Sequence, residues 1–386
     1  MASFTKTKVL PVLVRDIEFP PSAVQPIIPE LSATYQNILA ASEILRSHTA
    51  PVAFPTETVY GLGASALHST AVRQVFNVKN RPSDNPLIVH ISSVEQLSRV
   101  LHTEIPEIYD PLIAQFWPGP LTIILPLPPL NADGTPVLSP ACTPGQQTFG
   151  VRIPAHKVAR ALIAISDTPL AAPSANASTR PSPTSAAHVL HDLDGRIPII
   201  LDGGESNVGV ESTVVDGTVT PPAILRPGGV SAEDIKRVGG ELWKNVVVGK
   251  ATAGKDEAVR TPGMKYRHYS PTAKVIVFLG SHDGSTIEAD VDEYIKENDL
   301  IVANIAVLTA AEFNINKWSS SFQDRIKTVF KLGVSSEEVA RNLFKGLREV
   351  DEHDVDLIIA EGISEHDQGA AVMNRLRKAA SRVYQK

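Results

Sequence analysis

Residues 52–67 read VAFPTETVYGLGASAL and constrain the chain more than any other stretch. Val52–Phe54 has the look of a strand, Pro55 breaks it, and Thr56, Glu57 and Thr58 follow before a glycine turn at Gly61 and Gly63. A strand that ends in two hydroxyls and a carboxylate is poor core material, because each polar group needs a partner once water is removed. In open α/β sheets ligands collect at such strand ends. Glycines at this place would let backbone amides approach a ligand closely. A plainer reading stands beside this one: a polar strand-to-helix loop with threonine caps.

The rest of the sequence supplies the elements such a site needs. A length of 386 residues suggests two or three domains. A hydrophobic fraction of 43% with 20% charged residues describes an ordinary globular chain able to bury real cores. The net charge of −6 argues against a nucleic-acid coat or a membrane-surface binder, while leaving local basic patches open. Cys142 is the single cysteine, which excludes an intramolecular disulfide and fits a reducing compartment. No apolar run reaches the roughly 18 residues of a membrane helix. The first fifteen residues carry Lys6, Lys8 and Arg15 but lack the look of a transit peptide. A cytoplasmic location is expected, with a mitochondrial pool left open.

Residues 1–30 are Pro-rich and read as an extended segment. Leu31–Ser47 has helical periodicity, Thr70–Lys79 reads as a helix, and Ser93 with Gln96 makes a capping box. LTIILPL at 121–127, FGVRIPA at 149–155 and IPIILDGG at 197–204 read as strands. Residues 128–147 have no periodicity and read as a surface insertion, poorly ordered or acting as a flap. Asp216-Gly217 between two alternating runs predicts a tight hairpin. From Lys274 strands alternate with helices, which implies right-handed crossovers and a parallel sheet. The last helix is expected to run through AVMNRLRKAASRVY.

The expected fold class is α/β. An N-terminal twisted mixed sheet with flanking helices occupies 31–238, 239–273 is a linker or lid, and a smaller Rossmann-like parallel domain fills 274–386.

Several familiar motifs fail. GLGASA fits G-x-G-x-x-A, but Pro55 and the Thr-Glu-Thr run separate it from its strand. No Walker sequence and no G-x-S-x-G elbow occurs. His188 and His191 lack a third ligand nearby and read as core or solvated histidines. What survives is a scattered set at strand and helix ends. Lys79 and Arg81 form K-x-R, Arg152 interrupts VRIP, and Ser174 with Asn176 forms S-x-N. Ser212-Thr213 interrupt VGVESTVV, and Arg226 interrupts AILRPG. Each alone reads as a surface charge or a turn cap. Together, guanidinium, ammonium and hydroxyl groups would line a cleft for phosphate and carboxylate.

PTETVYGLG, K-x-R followed by PSDNPLIVHI, FWPGPLT, VRIP, PSAN, ESTVVD and ILRPGG stand in one order. In that order they resemble the YrdC-like family, from about Val52 to Gly229. PGMKYRHYSP and the later α/β segment look like the two-domain members with a Sua-type domain, the L-threonylcarbamoyladenylate synthases. The resemblance implies a nucleotidyltransferase. It would convert L-threonine, bicarbonate and ATP, with Mg²⁺ carried by the ATP, into threonylcarbamoyl-AMP and pyrophosphate for t6A37 modification of tRNA. Partners would be a tRNA threonylcarbamoyl-transferase complex and, weakly, tRNA itself, with no membrane.

By the same resemblance, Thr58, His90, Arg152, Ala172 and Ser212 would hold threonine. Arg81, Asn85, Thr148, Ser174, Ser182 and Arg226 would hold ATP, joined by Lys265, Arg267 and His268 from the linker acting as a lid. Lys79, Arg81, Ser174 and Asn176 would act on the reacting groups. Two other classes stand beside this reading: a module binding tRNA or double-stranded RNA, and a carbamoyl-transfer enzyme on the same domain.

Overall fold

The computed structural model describes residues 6–249, 268–280, 282–302 and 304–385. The chain divides into two compact units, 1–178 with 182–266, and 267–386 with Thr179–Pro181. Lys265 and Arg267, expected in a lid, lie outside the described residues. Among the described residues no helix is long and apolar enough to cross a membrane.

In chain order the first unit runs β1 (Lys8–Pro11), α1 (Ala33–Arg46), β2 (Val52–Phe54), β3 (Gly61–Ser65), α2 (Ser69–Lys79), β4 (Val89–His90), α3 (Val94–Leu101), α4 (Asp110–Phe116) and β5 (Leu121–Pro126). It continues with β6 (Thr148–Arg152), α5 (Lys157–Ser166), β7 (Leu170–Ala171), α6 (Ala186–Leu193), β8 (Ile199–Asp202), β9 (Thr213–Asp216), β10 (Ala223–Arg226), α7 (Ala232–Gly239) and β11 (Val247–Val248). Its strands form one mixed sheet ordered β1-β8-β2-β3-β7-β4-β6-β5-β9-β10-β11. Residues 6–30 are therefore more than an extended lead, since β1 pairs in parallel with β8 at the sheet edge.

Apolar side chains cover both faces of this sheet. Phe54, Leu170 and Leu201 pack with Ile38 and Leu45 of α1 and Leu162 of α5. Leu62, Val89 and Val151 pack with Val72 and Val75 of α2 and Leu97 of α3. Ser32, Ser93, Ser185 and Ser231 each accept a backbone N–H at a helix start, which sets where α1, α3, α6 and α7 begin.

Three local expectations are corrected. Gly61–Ser65 is a fully buried strand rather than a turn. The segment 128–147 is a surface insertion only in part: 129–136 are exposed, whereas Val137, Leu138 and Cys142 lie in the core and the Leu87 amide donates to the Cys142 carbonyl at 2.9 Å. The β9–β10 hairpin does not close at Asp216-Gly217, because the connection runs from Gly217 to Pro222.

The second unit contains β12 (Lys274–Leu279), α8 (Gly284–Glu297), β13 (Ile305–Thr309), α9 (Ser320–Gln323), β14 (Ile326–Lys331), α10 (Ser336–Asp351), β15 (Leu357–Glu361), α11 (Gly369–Ala379) and β16 (Arg382–Gln385). The order β14-β13-β15-β12-β16 is parallel throughout. Ile276, Phe278, Ile305, Val307, Leu357 and Ile359 face α8 and the Trp318–Phe322 segment. Helices α10 and α11 pack against each other. The expected last helix stops at Ala379, and Arg382–Gln385 adds an edge strand instead.

Candidate functional site

The Thr56–Thr58 run folds onto Arg152, the last residue of β6. Arg152 Nη1 donates to Thr58 Oγ1 at 3.1 Å, and Nη2 donates to Glu57 Oε1 at 3.1 Å. Glu57 Oε2 accepts the Ala155 amide at 3.0 Å, so one carboxylate ties the β2–β3 loop to the segment after β6. Thr56 and Thr58 share a 2.8 Å hydroxyl contact. Arg152 and Glu57 are 2% and 6% exposed, so this is a buried ion pair. Burial lowers the affinity of Arg152 for its proton, and Glu57 works against that shift. Arg152 Nε is buried without a hydrogen-bond partner, which leaves one donor of the guanidinium uncommitted.

The two glycines act differently from what their sequence suggests. Phe54 lies opposite Gly61 in the β2–β3 register, and its ring covers both glycines. A Cβ on Gly63 would come within 2.7 Å of the Phe54 ring. The glycines make room for a core aromatic that backs the polar loop.

His90 sits beside Arg152 in the parallel β4–β6 register and beside Leu170 in the antiparallel β4–β7 register. Ala172 follows at once, its amide donating to the Ile88 carbonyl at 3.0 Å. Burial, reinforced by the Arg152 charge, pushes the His90 imidazole down to about 3. Burial pushes His156 down to about 4. Both rings are therefore neutral at pH 7. In the unfolded chain a histidine titrates near 6.5. Below that pH the unfolded state takes up protons that the folded state refuses, so stability falls as pH falls from about 6.5 toward 3. His90 alone contributes up to about 1.4 kcal/mol per pH unit across that window. Thermal unfolding followed from pH 7 to 4.5 should show a falling Tm, less steep in His90→Gln. The same slope in that variant would contradict the assignment.

Lys79, at the end of α2, is buried and reaches the S-x-N turn. Its ammonium donates to the Ser174 and Asn176 carbonyls, each at 2.5 Å, and to Asn176 Oδ1 at 3.3 Å. Ser174 Oγ donates to Asn176 Oδ1 at 2.5 Å. Ser174 bridges to Gly61, and the Ala175 amide donates to the Tyr60 carbonyl. The turn is thus anchored to the residues just after Thr58.

A third cluster brings Ser212 and Arg226 together. Arg226 Nη2 donates to the Ser212 carbonyl at 2.9 Å and to its hydroxyl at 3.2 Å, and Ser212 Oγ lies 2.8 Å from Thr122 Oγ1. Ser182 donates to Glu211 Oε1 at 2.8 Å. Gly228 permits this meeting, because a Cβ there would lie 2.3 Å from the Glu211 carbonyl. The Gly209 amide donates to the Thr58 carbonyl, joining this cluster to the first.

Four other candidates occupy separate places. Thr148 begins β6, four residues before Arg152, a rise of about 13 Å along a strand. Asn85 is fully buried, with Oδ1 lacking a hydrogen bond. Arg81 follows the left-handed Asn80 at the end of α2 and lines a cleft of about 660 Å³ with Arg73, Asn77 and Ser83. Pro140, Ala141 and Pro144 of the insertion form part of its wall. His268 belongs to the second unit, where its ring lies 5.7 Å from that of Tyr269. Sequence reasoning flagged Glu57 as polar but gave it no role, and it did not single out Glu211 or Thr122. The only signal was a charge or hydroxyl inside an apolar run, and the partners are 95, 29 and 90 residues away.

Comparison with known proteins gives two family matches. A model described as "Telomere recombination" covers residues 45–228, and one described as "Threonylcarbamoyl-AMP synthase, C-terminal domain" covers 230–381. The threonylcarbamoyl-AMP synthase of Schizosaccharomyces pombe is 48% identical over 377 residues, spanning 92% of this chain and 90% of that protein. That of Bacillus subtilis is 44% identical over 351 residues, spanning 91% and 95%. The crystal structure of P. abyssi Sua5 with L-threonine superposes with a TM-score of 0.80 at 44% identity, over 98% of this chain and all of that one.

Proposed function

Because this chain belongs to the two-domain threonylcarbamoyl-AMP synthase family, we propose that it joins L-threonine, bicarbonate and ATP into threonylcarbamoyl-AMP. Pyrophosphate and water are the other products. The observation that carries this reading is the meeting of Thr58, Arg152 and His90 beside the Lys79-bound Ser174–Asn176 turn. A buried guanidinium with one uncommitted donor suits a carboxylate, and the P. abyssi relative is described with L-threonine.

Threonine would place its carboxylate at Arg152, with Thr58, His90, Ser212 and the backbone at Ala172 completing the pocket. Its amine, once unprotonated, attacks bicarbonate and water leaves, giving a carbamate. A carbamate oxygen then attacks the α-phosphorus of ATP, and the bond to the β-phosphate oxygen breaks. No covalent enzyme intermediate is required, so catalysis rests on positioning and charge. Arg81, Asn85, Thr148, Ser174, Ser182 and Arg226 would hold ATP, with Lys79 and Asn176 at the reacting groups. Lys265 and His268 would join them over the triphosphate. Such a cover would keep water from a labile carbamate.

Mg²⁺ enters as part of the MgATP substrate. The phosphates and water would supply its ligands. The product would pass to a tRNA threonylcarbamoyl-transferase in the same compartment, for t6A37 synthesis. The single buried cysteine suits a reducing, cytoplasmic setting.

Pyrophosphate release from ATP should require both threonine and bicarbonate, and should fall to background when either is left out. Glu57→Gln should raise the threonine KM about tenfold, because a charge-assisted bond worth ~1.5 kcal/mol is lost from Arg152. The ATP KM should stay within twofold. Equal effects on both substrates would remove Glu57 from the threonine side of the site.

A further inference from the structure

We propose that the second unit is itself a small-molecule receptor, with a site at the carboxyl ends of its parallel strands for an uncharged, hydroxyl-bearing ring compound of nucleoside size. This goes beyond the synthase reaction, to which that cleft contributes no residue argued above.

The sheet order creates the opening. Strands β13 and β15 are neighbours, yet their outgoing connections part. From β13 the chain passes outward to β14 by way of α9, whose Phe322 packs on the Ile305 face. From β15 it passes the other way to β16 through α11, which packs with α10. Loops that diverge from adjacent parallel strands leave a crevice between them, the usual ligand position of an open α/β sheet. Here the crevice is a cleft of about 490 Å³, within the range of small-molecule sites. Its walls come from the segments after all four of β12, β13, β14 and β15.

The cleft is preformed. Glu361, the last residue of β15, is 3% exposed and accepts the amides of Ala310 at 2.6 Å, Glu312 at 2.5 Å and Phe313 at 3.1 Å. One buried carboxylate thus fixes the loop after β13 against the loop after β15. A held-open cleft costs little ordering entropy when a ligand enters.

Its chemistry selects the ligand. Among the described residues no lysine or arginine lines it, whereas Glu312 and Asp367 do. The N-terminal amides at Val334 and Ser335 already donate to the Glu338 carboxylate, at 2.9 and 3.3 Å. A phosphate would therefore meet acids and find those helix-start donors taken. The Ser336 and Ser364 hydroxyls and the His366 ring engage no other described residue, so they and the two rim acids can pair with hydroxyl and amino groups. Val334, Val339 and Ile363 give an apolar wall for a ring. Hydroxyls, amino groups and a flat ring without charge describe a nucleoside better than a nucleotide.

The test is equilibrium dialysis of the full chain with labelled adenosine, in the presence of a saturating non-hydrolysable ATP analogue. We expect saturable binding at least about tenfold tighter than that of AMP, the decade that ~1.4 kcal/mol of charge repulsion gives. Ala311→Trp fills the mouth from an exposed position and should weaken adenosine binding about tenfold or more, by steric exclusion. Its threonine-dependent pyrophosphate release should stay within twofold of wild type. Glu312→Lys should narrow the gap between adenosine and AMP. The proposal is overturned if none of adenosine, guanosine, cytidine and uridine binds saturably, if AMP binds as well as adenosine, or if Ala311→Trp binds adenosine like wild type.

Discussion

Arg152→Met should destabilise the first unit by about 3–5 kcal/mol, because it leaves the Glu57 carboxylate buried without its counter-charge. The same substitution should lower kcat/KM for threonine by about ten- to a hundredfold, the loss of one charge-assisted hydrogen bond of ~1.5–3 kcal/mol to the substrate. These two effects have different origins and can be separated. In the double variant Glu57→Gln with Arg152→Met, no charge is left unpaired, and the carboxamide oxygen introduced at position 57 can still accept the Ala155 amide. Stability should return to within about 2 kcal/mol of wild type, while threonine use stays depressed. Chemical denaturation and steady-state kinetics on the three proteins check this. Recovery of threonine use together with stability would mean that Arg152 serves the fold alone.

Lys79→Met should reduce kcat by about 10²–10³, because the positive charge beside the reacting groups and the Ser174–Asn176 turn it holds in place are lost together. The ammonium also holds the Ser174 and Asn176 carbonyls, which are left without it in the variant. A stability loss of about 2–3 kcal/mol is therefore expected alongside. Lys79→Arg should not rescue activity, because a planar fork cannot repeat the compact contacts of an ammonium on three oxygens. Single-turnover measurements with saturating threonine and ATP separate the chemical loss from weaker binding. Activity retained in Lys79→Met would remove the K-x-R motif from the reaction.

Much of this architecture is legible in the sequence, and the gaps have physical causes. Strands such as Leu121–Pro126 and Leu357–Glu361 are apolar runs between breakers, and α3 announces itself by Ser93, whose hydroxyl accepts the Gln96 amide. Gly61–Ser65 reads as a turn because glycine disfavours strands. The Phe54 ring across the pair reverses that local preference. The edge strands Lys8–Pro11, Val247–Val248 and Arg382–Gln385 are short and gain their identity only from distant partners. The insertion carries no periodicity, yet Cys142 and Leu138 find core positions that no local pattern encodes.

The site follows the same rule. Polar residues that spoil strand ends are visible singly. The structure joins Thr58 to Arg152 and Lys79 to Ser174 and Asn176, pairs that lie 94 to 97 residues apart. Glu57 escapes assignment because its partners are Arg152 and the Ala155 amide, which nothing near position 57 could reveal.

The central claim is that these clusters form one site where an amino acid meets the α-phosphorus of a nucleotide. Incubating the protein with ¹⁴C-labelled threonine, bicarbonate and α-³²P-labelled ATP, followed at once by chromatography, tests it most directly. The account predicts one product carrying both labels, formed in step with pyrophosphate. Release of ADP and phosphate instead, or the two labels eluting only apart, would contradict it.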